Sequence, residues 1–254
     1  MRRDAAEMKC YGWNACDALF QHRRFDIIRV YVTEQRISDC GQLLKWCVGN
    51  RMAYHVVDAD ELERVAATQH HEGITILARV PRRLSADEAV RLLRREAGPT
   101  LSLFLDDVQN PHNVGSITRT AAHFGVGLIA GGRGRLPAAS GALFRTAQGA
   151  CEHVRFAEVE SPLRFLRSLQ GAGFRVFVTS SHGGHGLYGA RLPERAVFVL
   201  GNELRGVSKP LAAAADETVM ITGTGRVESL NVAITAALVA GEFHRQHPPP
   251  PAGP

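Results

Sequence analysis

Cysteine is scarce in this chain and long apolar runs are absent, and each absence narrows the possibilities. The five cysteines, Cys10, Cys16, Cys40, Cys47 and Cys151, are odd in number and include no Cys-x-x-Cys pair. That argues against a disulfide framework or a zinc ribbon and for a reducing compartment. No stretch reaches the roughly 18 apolar residues of a spanning helix, and MRRDAAEMK at the N-terminus has no apolar signal-peptide core. The expectation is a cytoplasmic protein without a membrane partner. Familiar ligand loops are missing as well. No Gly-Lys-Ser/Thr follows a glycine pair, and there is no Gly-x-Ser-x-Gly elbow. Gly132-Arg-Gly134 follows an expected strand, but Pro137 stands where a dinucleotide fingerprint needs its third glycine. His182 and His185 lack a cysteine or carboxylate at ligand spacing, so no metal is expected.

What is present fits an α/β protein. In 254 residues the hydrophobic fraction is 45%, and the formal net charge of +5 favours a polyanionic partner. The first 80 residues alternate helix and strand: a helix over Tyr11–Gln21 capped by Asn14, a strand at Ile27–Thr33, a helix over Ser38–Val48, a strand at Ala53–Val57, a helix over Asp58–Ala67 and a strand at Ile74–Val80. Residues 81–99 read as a helical linker opening on the capping box Ser85-Ala-Asp-Glu88. Arg79, Arg82, Arg83, Arg91, Arg94 and Arg95 gather positive charge there, as a solvated helix face or as an RNA-facing patch. Residues 100–246 form a second domain, and the Pro-rich tail 247–254 reads as disordered.

The second domain is organised around Leu101–Val126, LSLFLDDVQNPHNVGSITRTAAHFGV. A nearly continuous apolar run, as in a strand buried on both faces, stops at two aspartates and crosses an Asn/Pro loop into a helix. Asn113 reads as the N-cap, with Val114, Ile117, Ala121 and Phe124 as the core stripe. Arg119 lies roughly 200° round the helix from Ile117, facing a site or solvent. Buried strands follow at Gly127–Ala130, His153–Phe156, Val176–Val178, Ala196–Leu200 and Val219–Ile221, with helices near Gly141–Ala147 and from Ser161-Pro162. The sequence SHGGHG reads as a flexible loop, and Ser229 to about His244 as a helix apolar nearly all round.

Polar clusters recur at three strand ends: Asn113 with Arg119, Asn202 with Glu203, and Ser229 with Asn231. Singly, each has a structural reading as a cap or turn residue. Taken together, NPHNVGSITRTAAHFGV, VLGNELRGVS and GRVESLNVAITAAL resemble the three ordered motifs of the SpoU (TrmH) branch of the SPOUT RNA ribose 2'-O-methyltransferases, from about Leu101 to Phe243. Tyr11-Gly-Trp-Asn-Ala and His70-His-Glu-Gly-Ile resemble the ends of the small L30-like RNA-binding domain that precedes the catalytic domain in some members.

The resemblance implies an α/β fold in which a C-terminal SPOUT domain with a mainly parallel sheet carries a trefoil knot, behind a small α/β L30-like domain. It implies a homodimer through the knotted domain, S-adenosyl-L-methionine as cofactor, and RNA as substrate, rRNA favoured over tRNA. The cofactor would lie on Thr179, Ser180, Leu200, Gly201, Asn202, Ile221, Ser229 and Leu230. Arg119 would be the catalytic arginine, accepting the hydroxyl proton or stabilising the alkoxide, although a guanidinium is an unusual base. Asn113 would position ribose and phosphate, while Glu203, Ser229 and Asn231 hold the arginine. One departure stands out: Ile221-Thr222-Gly223 replaces the Ile-Pro-Met frequent in the family. That change motivates the alternative of a catalytically inactive RNA-binding or ribosome-assembly factor on the same scaffold.

Overall fold

The computed structural model of the protein describes residues 6–248. In chain order the first elements are β1 (Glu7–Tyr11), α1 (Trp13–Arg23), β2 (Ile27–Thr33), α2 (Gly41–Gly49), β3 (Tyr54–Val57), α3 (Ala59–Ala66), β4 (Ile74–Arg79) and α4 (Ala86–Arg95). There follow β5 (Thr100–Asp106), α5 (Pro111–His123), β6 (Leu128–Gly132), α6 (Gly141–Ala147), β7 (Arg155–Val159), α7 (Pro162–Gln170) and β8 (Arg175–Thr179). The last are β9 (His185–Gly186), β10 (Arg195–Gly201), α8 (Lys209–Ala214), β11 (Glu217–Met220) and α9 (Val232–Gln246). The chain divides into two compact units, one of residues up to Arg82 with Ala138–His153, the other of Arg83–Pro137 with the residues from Val154 on.

The first unit is a four-stranded sheet in the order β1-β4-β2-β3, with β4 antiparallel to β1 and β2 and β3 parallel to β2. Cys10, Val30 and Ile76 of its inner face are fully buried with Leu19 of α1 and Leu62 of α3. Strand β1 has no counterpart among the sequence expectations, because its alternation of exposed Glu7 and Lys9 with buried Met8 and Cys10 spans only five residues. Asn14 is not the cap of α1: Gly12 takes that position, and the Asn14 amide donates to Gln148 Oε1 at 2.5 Å. Helix α6, read from sequence as part of the second domain, lies in this unit against β1. A Cβ at Gly141 would sit 2.0 Å from Cε1 of Tyr11, so only glycine permits that approach. Arg23 grips Glu152 through both nitrogen arms, at 2.6 and 3.0 Å, with the Glu152 side chain 3% exposed. Such an enclosed bidentate pair holds residues 138–153 in place. The cysteines of the described chain are free thiols, and burial pushes Cys16 and Cys151 upward, which leaves both chemically quiet.

The second unit is a seven-stranded sheet in the order β7-β6-β5-β10-β8-β11-β9, every adjacent pair parallel. Strand β5 is buried from Thr100 to Leu105, as its unbroken apolar run requires. Residues 81–99 are less a linker than the start of this unit. Ser85 forms the expected capping box with Glu88, and Ala89 and Leu93 of α4 are fully buried in the sheet's core. The arginine patch is partly spent inside the unit, since Arg83 bonds Glu158 at 3.3 Å. The sequence SHGGHG is a tied segment and not a free loop. Its His185–Gly186 pairs with β11, and a Cβ on Gly184 would lie 2.5 Å from the Thr218 carbonyl oxygen. The tail from Pro249 on lies outside the described residues. No helix of the described chain is long and apolar enough to cross a membrane.

Helix α9 packs on α5 and β10. Its last turn is pinned by Glu242, whose side chain is 4% exposed and accepts from Arg245 Nη2 and Gln246 Nε2, both at 2.7 Å. Gln246 in turn accepts from the Leu192 amide and donates to the Ala190 carbonyl, each at 2.9 Å. The Arg245 hydrogen bonds hold the Glu242 carboxyl below its usual range against the opposing effect of burial. A carboxylate depressed in the folded state stabilises it at neutral pH, and that contribution disappears as pH falls through the lowered value. Glu242→Gln is expected to lower Tm by about 2–4 °C at pH 7, the shift for about 1 kcal/mol in a chain of this size. The gap should close below about pH 4. Thermal melts across pH check it, and a gap independent of pH would refute the account.

Candidate active site

The site is built where β5, β10, β8 and β11 end side by side. Between β5 and β10 the chain order reverses, since β5 continues to β6 on one side and meets β10 on the other. Open parallel sheets bind ligands at the carboxyl ends of strands at such a switch point. At the end of β5 the backbone turns through Asp107 in the left-handed region, φ 62°. Asn110 then caps α5, its Oδ1 accepting from the His112 amide at 2.9 Å, with Pro111 in the first turn. Asn113 is therefore not the cap, as its sequence position suggested. Its side chain is released for other work.

That work is the centre of the site. The Asn113 amide nitrogen donates to Glu203 Oε1, and its oxygen accepts from Asn231 Nδ2 at 3.1 Å. Asn231, and not Ser229, caps α9, its Oδ1 accepting from the Ala233 amide at 2.8 Å. One asparagine cap thus serves two helices: it closes α9 and ties it to the first turn of α5. Three clusters from three strand ends meet in this chain of hydrogen bonds.

The loop carrying Glu203 is held from below by β5. Asp106 Oδ2 accepts the Ser208 amide at 2.8 Å, and Asn202 Nδ2 donates to the Asp107 carbonyl at 3.0 Å. Within the loop, Asn202 Oδ1 accepts from the Leu204 amide at 2.9 Å and its carbonyl from the Gly206 amide at 2.8 Å. The chain folds so tightly over Gly201 that a Cβ there would lie 2.1 Å from the Gly206 carbonyl carbon. Asp106 and Asp107 are site-building residues that the sequence displayed only as the point where an apolar run stops.

Arg119 is exposed on α5, opposite the buried Ile117, as its angular position requires. Glu203 and Asn231 grip Asn113 and not Arg119, and Arg119 makes no hydrogen bond or ion pair among the described residues. Ser229 is likewise exposed and unbonded. Among the expected cofactor residues, Leu200 is fully buried at the end of β10, while Thr179 Oγ1 donates to the Val199 carbonyl at 3.3 Å. The Ser180 amide donates to the Val219 carbonyl at 2.9 Å. Ile221 follows β11, and Thr222 to Leu230, exposed throughout, make no backbone hydrogen bond to one another or to the rest of the described chain. His182 of the loop after β8 meets Glu228 at 3.1 Å. Free backbone donors and acceptors beside the apolar Val227 and Leu230 suit a ligand with a purine edge and an apolar sulfonium chain, so the residues present fit S-adenosylmethionine. No group of three or more His, Cys, Asp or Glu among the described residues is arranged to hold a metal ion.

Comparison with known proteins agrees with this geometry. Residues 100–241 match the SpoU rRNA Methylase family, and residues 10–83 match the family described as RNA 2'-O ribose methyltransferase substrate binding. The chain is 36% identical over 247 residues to the uncharacterized tRNA/rRNA methyltransferase YfiF of Escherichia coli O157:H7, covering 97% of this chain and 70% of that one. It is 29% identical to the 23S rRNA (guanosine-2'-O-)-methyltransferase RlmB of Neisseria meningitidis serogroup B, covering 95% and 96%. The fold is shared with the SpoU methyltransferase AviRb of Streptomyces viridochromogenes, TM-score 0.77 at 21% identity, over 94% of this chain and 90% of that one. The chain belongs to the SpoU family of RNA 2'-O-ribose methyltransferases.

Proposed function

We propose that the protein methylates a ribose 2'-hydroxyl of ribosomal RNA, in preference to transfer RNA, using S-adenosyl-L-methionine. The observation that carries the reading is the meeting of Asn113, Glu203 and Asn231 from three strand-end loops on the helix that presents an unpaired Arg119. The preference for rRNA rests on the relative that acts on a 23S guanosine, which this chain parallels along almost its whole length. Bound S-adenosylmethionine supplies a methyl group on a sulfonium, an electrophile that needs no metal. The ribose hydroxyl is a poor nucleophile until its proton is drawn away and its oxygen is aligned. Arg119 would contact the neighbouring phosphate and either accept the hydroxyl proton or stabilise the charge that develops on the oxygen as that proton leaves. Asn113, its amide oriented by Glu203 and Asn231, would fix the ribose. The loops at Thr179–Ser180, Leu200–Asn202, Ile221 and Ser229–Leu230 would hold the cofactor.

The reading includes the family's trefoil knot, an RNA-binding role for residues 1–80, a cytoplasmic setting and a homodimer through the second unit. Support for the dimer is the apolar surface left open near the start of α9, where Leu230 is 44% and Ile234 51% exposed. Sedimentation of the purified protein should show a dimer. The central test maps 2'-O-methyl sites in rRNA and tRNA from cells with and without the protein. A single rRNA site lost with the protein is the expected result. A lost tRNA site would refute the rRNA preference. Unchanged methylation, with no S-adenosylmethionine or S-adenosylhomocysteine binding by calorimetry, would mean a non-catalytic RNA-binding factor.

A further inference from the structure

We propose that the β2–β3 side of the four-stranded sheet's outer face is a stacking platform for an unpaired segment of the substrate RNA, with a base stacked on the free face of the Tyr31–His55 pair and Arg29 at its phosphate. The inference rests on the reading of the protein as an RNA enzyme and adds to it a specific surface.

Strand pairing lays out this face row by row. Tyr11, Thr75, Tyr31 and His55 stand across the four strands in one register row, and Lys9, Leu77 and Arg29 in the next. Alternation sends Cys10, Ile76 and Val30 to the other face, where they are fully buried and where α1 and α3 pack against the sheet. On this face Arg29, Lys9 and His55 are exposed and Tyr31 is half-buried, whereas Thr75 is 1% exposed and Tyr11 lies against Gly141 of α6, so the open part is the β2–β3 side. The rings of Tyr31 and His55 are stacked, centroids 5.1 Å apart and planes 19° from parallel. Arg29 Nη1 donates to the Tyr31 hydroxyl at 3.3 Å, which brings a guanidinium beside the stack.

The pair is not a core device, because His55 is exposed and Tyr31 only half-buried. A cross-strand pair on the surface can stabilise a sheet modestly, but that role does not call for an arginine bonded to the tyrosine and a lysine in the next row. Flat rings in a sheet face flanked by cations are the means by which proteins hold unpaired bases: every base offers a π-face, and the phosphates meet the cations. Among the described residues of the four strands the one carboxylate on this face is Glu7, opposite Arg79 in the ladder, so the charge these strands offer to an incoming RNA strand is positive. Duplex RNA would not satisfy the stack, since its bases are already covered by their neighbours. The occupant is a single-stranded stretch or an extruded base.

The test uses the full chain and a fluorescein-labelled RNA dodecamer of mixed sequence, single-stranded or annealed to its complement, followed by anisotropy. Tyr31→Ala should raise the single-strand Kd about tenfold and His55→Ala about fivefold, whereas Tyr31→Phe, which keeps the ring, should stay within about twofold. Arg29→Ala should reduce the slope of log K against log salt by about 0.7, the value for one phosphate contact on a single strand. Duplex affinity should be unchanged in all four variants. Should Tyr31→Ala fail to fold, His55→Ala on the exposed edge strand decides the matter. Failure of the wild-type chain to bind the single strand, unchanged affinity in both stack variants, or equal loss on duplex would overturn the proposal and leave the face for a protein partner. Methylation of rRNA by the wild type is scored separately, so loss of the platform and loss of the enzymatic reading are distinguishable.

Discussion

Replacing Arg119 by alanine is expected to lower methyl transfer by about a thousandfold or more, with cofactor affinity and oligomeric state unchanged. Its placement is the reason the effect should be so cleanly confined to chemistry. Arg119 is exposed and makes no hydrogen bond or ion pair among the described residues, so truncating it leaves no group in the folded protein unpaired. Surface substitutions of that kind change stability by about 0.5 kcal/mol or less. What is lost, on the proposed mechanism, is a planar cation that would stabilise the negative charge developing on the ribose oxygen. Arg119→Lys keeps the charge but not the two-pronged donor geometry, and it should recover only part of the rate. Single-turnover methylation of the mapped RNA, with calorimetric titration of S-adenosylhomocysteine, reads both quantities. An alanine variant within about threefold of wild type would remove Arg119 from the mechanism.

Gly201→Ala is the second large effect, and its origin is steric. The new Cβ would meet main-chain atoms, Gly206 C at 2.1 Å, Val207 N at 2.2 Å and Gly206 O at 2.5 Å, and backbone cannot swing aside as a flexible side chain can. The segment from Gly206 to Ser208 must lift. Lifting it breaks the Ser208 bond to Asp106 and the Asn202 bond to Gly206, and it carries Glu203 away from Asn113. Cofactor binding is expected to fall about a hundredfold and methyl transfer below detection, with about 1–3 kcal/mol of stability lost to overpacking. Gly206→Ala serves as the comparison. It carries the left-handed φ of 65° but has no atom within 4 Å of the added carbon, so it should cost only about 1–2 kcal/mol of backbone strain. Calorimetry and thermal melts on both variants separate the two causes. Comparable cofactor affinity in Gly201→Ala and wild type would show that this loop takes no part in binding.

Several features were legible in the residues alone because their physics is local. The run Leu101–Leu105 reads as a strand buried on both faces, and Ser85 with Glu88 as the opening of a helix. The rotation between Ile117 and Arg119 by itself puts the arginine outside the core. Ordered motifs at strand ends marked where the site would be. The asparagines were another matter. Asn14, Asn110, Asn113 and Asn231 all suit a helix cap, and nothing in composition distinguishes a cap from a residue free to reach elsewhere. The Pro111 that follows Asn110 held the clue: proline in the first turn moves the cap to Asn110 and frees Asn113.

The sequence by itself determined most of the strands and helices, β1, β9 and α8 excepted, which faces they bury and that three polar clusters lie at strand ends, because each depends on residues within a few positions of one another. Only the tertiary structure decided what those clusters do. Asn113 finds Glu203 at a separation of 90 residues and Asn231 at 118, and Asp106 reaches Ser208 across 102. Such partners are chosen by the order in which parallel strands assemble, β5 beside β10 and β10 beside β8, and no periodicity along the chain encodes that order. The same holds for residues 138–153, which leave the seven-stranded sheet's unit because Tyr11 and Arg23 supply the ring and the cation that Gly141 and Glu152 fit.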